Sequence, residues 1–122
     1  MAQIIQLGHF SSEKGELTVI ENILPDGIKR VYYISGVPAN TVRGGHRHHK
    51  TWQVLVTLRG SCRIFTDNGT TKQYFNLDNP DTALLLEPQD WHTMDTFSND
   101  ALLLVLANEV YDIDDYIDEP YG

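Results

Sequence analysis

The chain is short of cysteine, of positive charge and of long apolar runs, and each shortage narrows what it can be. Cys62 is the single cysteine among 122 residues, so no disulfide can close within the chain. It falls in a stretch that reads as strand, where a buried, inert thiol is expected. Nine basic residues stand against seventeen acidic ones, a formal charge of −8. Nucleic acids and anionic membranes both call for a basic footprint, so this balance argues against both as partners. It leaves room for a phosphorylated small molecule, which needs only a few local cations. No stretch approaches the roughly 20 apolar residues of a membrane helix. Met1-Ala-Gln-Ile-Ile5 lacks the basic start and apolar run of a secretory signal, so a cytoplasmic protein is expected. Internal repeats, low-complexity linkers and a long helical period are also missing.

What is present is a globular composition, 41% hydrophobic, at a length suited to one domain spanning residues 1–122. Short β-type runs recur about every ten residues, set off by Gly, Pro, Asn and Asp. Strands are expected over 3–7, 16–21, 28–34, 53–58, 61–66, 72–77, 83–86 and 101–107. His9 to Gly15 reads as a turn, Asp67-Asn68-Gly69 as a hairpin, and Glu87 to Asp90 as a turn before Trp91-His92. In the strand over 28–34, Arg30, Tyr32 and Ile34 share one face. The acidic tail from Tyr111 to Glu119 is expected to be a solvated surface with little regular structure. The pattern is all-β, an antiparallel sandwich or barrel.

Three of the five histidines lie in Arg43-Gly-Gly-His46-Arg-His48-His49. On a strand, residues two apart point the same way, so His46 and His48 project onto one face and His49 onto the other. The two glycines ahead of them permit a sharp turn or a close approach to a ligand. Gln53-Val-Leu-Val-Thr-Leu follows and closes at Gly60. This spacing resembles the first motif of the cupin superfamily, with Gln53 at the position of its glutamate.

Taken with Gly60-Ser-Cys-Arg63, Ile28-Lys-Arg-Val-Tyr-Tyr-Ile34, Trp91-His-x-Met94, Leu104-Val-Leu-Ala107 and Tyr111-Asp-x-x-Asp-Tyr-Ile117, the stretch resembles the dTDP-4-oxo-6-deoxyglucose 3,4-ketoisomerases, small cupins of bacterial deoxysugar synthesis. The likeness covers nearly the whole chain. It implies a cupin-type antiparallel jelly-roll barrel and a homodimer with exchanged N-terminal strands. It implies a dTDP-linked deoxysugar as ligand, for surface polysaccharide synthesis, with no cofactor. It makes His46 and His48 the active pair, with Tyr32 in the same pocket. It also marks Lys14 and His92 as positions tied to product stereochemistry, here leaning toward the galacto-type product.

The chemistry suits these residue types. Moving a keto group from C4 to C3 requires removal of the C3 proton, an enediol, and return of a proton at C4. Histidine can accept and donate near neutral pH. Gln53 is a candidate donor to the enediolate, and Arg30 and Arg43 are candidate partners of the diphosphate. Tyr33, Trp52 and Trp91 are candidate platforms for a nucleobase. Two other readings stay open. One is a non-catalytic cupin that binds a sugar nucleotide or carbohydrate. The other is a metal-dependent cupin using His46, His48, His92 and Gln53.

Overall fold

The structure, a computed structural model, describes residues 1–122. Twelve strands follow in order: β1 Gln3–Gln6, β2 Gly8–Ser12, β3 Gly15–Val19, β4 Arg30–Ser35, β5 Arg43–His48, β6 Gln53–Arg59, β7 Cys62–Asp67, β8 Lys72–Leu77, β9 Thr82–Leu86, β10 Trp91–Asp95, β11 Leu102–Ala107 and β12 Tyr116–Ile117. A single 3-10 turn, Ile113–Asp115, precedes β12. No helix is long and apolar enough to cross a membrane.

Two five-stranded sheets face each other, ordered β1-β9-β6-β11-β4 and β12-β5-β10-β7-β8, with β2-β3 as a separate hairpin. Every pairing is antiparallel. This is the cupin-type jelly roll expected from the sequence.

Alternation along the strands decides what lies between the sheets. Leu55, Ile64, Leu77, Leu84, Leu86, Leu103 and Val105 fill the interior and are essentially inaccessible. Each such side chain contributes about 1.5–3 kcal/mol through removal from water. A second cluster of Leu7, Val54, Val56, Ala83, Leu85 and Leu106 covers the outer face of the first sheet, with Ile20, Ile23 and Leu24 packed over it. Strand β6 is thus apolar on both sides, which explains its unbroken Val-Leu-Val run. Cys62 is buried and free, and burial pushes its thiol up to about 12, consistent with an inert role.

Three segments depart from the sequence reading. His9 to Gly15 is not a turn but most of a hairpin, whose turn is only Glu13-Lys14. All of β2 is exposed, so this strand is held by pairing with β3 and carries no apolar signal. Trp91–Asp95 is a full strand in which His92 and Met94 are buried and their neighbours less so. The tail is not merely solvated: Asp115 is 4% exposed, and β12 pairs with the histidine strand, Tyr116 opposite His48 and Ile117 opposite Arg47.

Candidate active site

At one end of the space between the sheets the filling changes from aliphatic to polar. A cavity of about 170 Å³ opens there, lined by Arg30, Tyr32 and Ile34 from β4, Arg43, Gly44 and His46 from β5, Gln53 and Leu55 from β6, His92 and Met94 from β10, Val105 from β11 and Tyr116 from β12. Arg30 and Gln53 share one register row and flank Ala107 of β11 on its two sides. His46 and His92 are brought together because they are direct partners across β5 and β10.

Gly44 makes that pairing possible. It holds φ +85°, and a Cβ there would stand 2.9 Å from the His92 carbonyl oxygen. The glycine therefore admits a neighbouring strand at close range, where the β5–β10 register shifts between His92 and Thr93, and it also lines the cavity.

The two histidines of the motif share a face, with ring centroids 5.3 Å apart, and His92 lies 5.0 Å from His46. His46 and His92 form the cavity wall. His48 is not among the residues that line the cavity: it is 5% exposed and packs beside His46, with the Tyr116 ring 4.7 Å from it and equally far from His46. His49 faces away and is exposed. Burial, and then the neighbouring His48, pushes His46 down to about 4. Burial followed by His46 pushes His92 down to about 3. His48 is lowered chiefly by burial, against the opposing pull of Asp115. All three rings are therefore neutral at pH 7, each able to carry one N–H and one lone pair.

The second nitrogen of two of these rings is assigned by a partner. His92 Nδ1 lies 3.1 Å from the Asp90 carbonyl, which can only accept, so Nδ1 carries the proton. His48 Nδ1 lies 3.0 Å from Asp115 Oδ2. His48 Nε2 and Gln53 Oε1 are buried with no hydrogen-bond partner in the protein. Gln53 Nε2 donates to Tyr32 Oη at 3.2 Å, leaving the phenolic O–H free to donate elsewhere. Burial, then Tyr116, raises the Tyr32 phenol, so it stays protonated. The Arg30 guanidinium stacks 4.4 Å from the Tyr32 ring centre and 5.2 Å from that of Tyr111.

Other expected participants lie elsewhere. Lys14 sits on the exposed turn of the β2-β3 hairpin and does not line the cavity of its own chain. Tyr33 points outward at 69% exposure, as alternation with Tyr32 requires. Trp52 packs on the outer apolar cluster, and Trp91 sits against Phe65 and donates to the Asp118 carbonyl. The aromatic side chains in the cavity are Tyr32 and Tyr116. The sequence reading of the tail as solvated surface gives no role to Asp115 or Tyr116, although both fall in the Tyr111-Asp-x-x-Asp-Tyr-Ile117 motif. The signal available was the apolar pair Tyr116-Ile117 within an acidic run.

A metal site of the three-His, one-acid kind does not fit this donor set. No group of three or more His, Cys, Asp or Glu side chains is arranged to hold an ion. The fourth position carries Gln53, whose neutral amide is a weaker ligand for a divalent ion than a carboxylate.

Comparison with known proteins places the chain in a family. The family described as FdtA, WxcM-like, C-terminal, matches residues 1–121. The TDP-4-oxo-6-deoxy-alpha-D-glucose-3,4-oxoisomerase of Aneurinibacillus thermoaerophilus is 42% identical over 117 residues, 94% of this chain and 84% of the relative. The QdtA 3,4-ketoisomerase of Thermoanaerobacterium thermosaccharolyticum, solved as a double mutant in complex with TDP, superimposes with a TM-score of 0.90 at 39% identity, covering 97% of this chain and 87% of that one. The TDP-fucose-3,4-ketoisomerase WlaRA of Campylobacter jejuni gives a TM-score of 0.91 at 33% identity, covering 97% and 89%. Fold and site together define a cupin-type barrel enzyme with an imidazole-lined cavity. The chain belongs to the FdtA family of sugar-nucleotide 3,4-ketoisomerases.

Proposed function

We propose that the chain converts dTDP-4-oxo-6-deoxyglucose to the dTDP-3-oxo-6-deoxyhexose, supplying bacterial deoxysugar and surface-glycan synthesis from the cytoplasm. The observation that carries this reading is the buried, unpartnered Nε2 of His48 within a cluster of neutral imidazoles. A buried acceptor without a partner costs about 1–3 kcal/mol, a cost that a bound sugar would relieve. His48 Nε2 takes the proton from C3. The electrons of that C–H bond form the C3–C4 double bond, and O4 gains a proton from His46 or Tyr32. The enediol then gives its O3 proton back to the group that protonated O4, as His48 returns a proton to C4, leaving a carbonyl at C3. No electrons enter or leave, so no redox cofactor is needed. Gln53 and Tyr32 supply donors to the developing oxyanion, and Arg30 and Arg43 hold the diphosphate at the cavity mouth.

The chain acts as a homodimer in this proposal. Ile4, Phe10, Leu17, Val31 and Tyr33 are large apolar side chains left exposed on β1, the hairpin and edge strand β4, as expected of a surface that a second copy covers. Exchange of N-terminal strands would re-form the β1–β9 pairing between chains and carry the hairpin, with Lys14, toward the partner. With His92 in the cavity, Lys14 and His92 then act on the face of C4 that is protonated, giving the galacto-type product.

The test is NMR of the product from dTDP-4-oxo-6-deoxyglucose with the wild type and with His46→Asn and His48→Asn. Formation of the 3-oxo sugar by the wild type and its loss in both variants is expected. Full turnover in both variants overturns the mechanism. Binding without conversion by the wild type would instead favour a non-catalytic sugar-nucleotide module.

A further inference from the structure

The tail that crosses β5 and β10 does more than close the sheet edge. It is anchored by Trp91 Nε1 donating to the Asp118 carbonyl at 3.1 Å and by Tyr121 Oη donating to the Gln89 carbonyl at 2.7 Å. The 3-10 turn at its start delivers Asp115 into the protein behind His48. The His48 and Asp115 side chains are each only 3% exposed. Both oxygens of this carboxylate face donors: Oδ1 receives the Lys50 backbone N–H at 2.9 Å, and Oδ2 meets the Thr51 hydroxyl and His48 Nδ1. Burial alone would raise the Asp115 carboxyl. The donors from Thr51, Lys50 and His48 overcome it and hold the group below the usual carboxylate range.

An ionised carboxylate can only accept. It therefore fixes the proton of neutral His48 on Nδ1 and leaves the lone pair on Nε2, the atom that no protein group occupies. We infer that Asp115 is a positioning residue for isomerisation, selecting the His48 tautomer whose Nε2 is the base. The inference rests on the assignment of His48 as the carbon base given above.

The substitution Asp115→Asn is nearly isosteric and should reverse this choice. The Lys50 N–H keeps the amide oxygen at the Oδ1 position. The amide NH₂ is then placed at the Oδ2 position, where it donates to His48 Nδ1 and forces the ring proton onto Nε2. Turnover is expected to fall about 100-fold with KM changed less than about threefold, since the loss is in proton transfer and not in binding. Asp115→Glu, which keeps an acceptor-only group, should recover part of the rate. A direct readout is independent of activity: two-bond ¹H–¹⁵N spectra of ¹⁵N-histidine-labelled protein report the tautomer. The wild type should show His48 protonated on Nδ1 and Asp115→Asn on Nε2. Wild-type turnover in Asp115→Asn, or an Nε2–H tautomer in the wild type, overturns the inference. If His48→Asn is inactive and Asp115→Asn is fully active, only this inference falls. If His48→Asn keeps full turnover, the assignment of His48 as base falls instead.

Discussion

Two histidines of this chain meet carboxylates, and the contrast between them separates a built site from a surface contact. His9 Nε2 lies 2.7 Å from Glu16 and His9 Nδ1 lies 2.7 Å from Asp81, with the His9 side chain 29% exposed. His48 Nδ1 lies 3.0 Å from Asp115, with both side chains at 3%. The shorter distances belong to the pair of less consequence. In solvent, a His–carboxylate contact is weakened by water and salt and is worth little. Out of solvent, the same contact persists only when each remaining donor and acceptor is met, and removal of one partner strands the others. At His48 one atom, Nε2, is left unmet.

Removing the two histidines should give the widest separation. His48→Asn is expected to lower turnover about 10²- to 10⁴-fold, and His9→Asn to leave it within about twofold, both read from initial rates of 3-oxo sugar formation. Equal losses would erase the distinction. Next in size is stability. Asp115→Ala leaves His48, Thr51 and the Lys50 N–H without their shared acceptor and should cost about 2–4 kcal/mol in urea unfolding.

Acid should then weaken the buried cluster selectively. His46 and His92 are held at about 4 and about 3, below the ordinary 6.5. Between those values and 6.5 the unfolded chain binds more protons than the folded one. Stability therefore falls as pH drops from 6.5 toward 3, and these groups impose no penalty above 6.5. Unfolding midpoints at pH 7 and pH 4.5 should differ in the wild type, with a smaller difference in His92→Gln. The smallest effect belongs to the surface pair: His9→Ala should shift the thermal midpoint by no more than about 4 °C. That shift should vanish in 1 M salt, whereas the Asp115→Ala loss should persist.

Much of this architecture was legible in the residues. Period-two spacing placed His46 and His48 on one face, and the same rule put Arg30 and Tyr32 together and turned Tyr33 away. The β-branched stretch at 53–58 and the aliphatic run at 101–107 marked two strands. Alternation says which face a residue takes but not which strand lies opposite. The pairing of His92 with His46 and the meeting of Gln53 with Tyr32 follow from sheet order, which local patterns do not encode. Strand β3 is legible in the alternation over 16–21, but its partner β2 is not, because β2 buries nothing. Asp115 was hidden because acidic residues crowd the tail, and only packing distinguishes the one that is buried.

Proton movement at the sugar ring tests the His48 mechanism most directly. Incubation of the wild-type protein with dTDP-4-oxo-6-deoxyglucose in heavy water, followed by NMR, should show deuterium at C4 of the 3-oxo product and at C3 of recovered substrate, with neither label in His48→Asn. A bound but unlabelled and unconverted sugar, or undiminished labelling in His48→Asn, would contradict it.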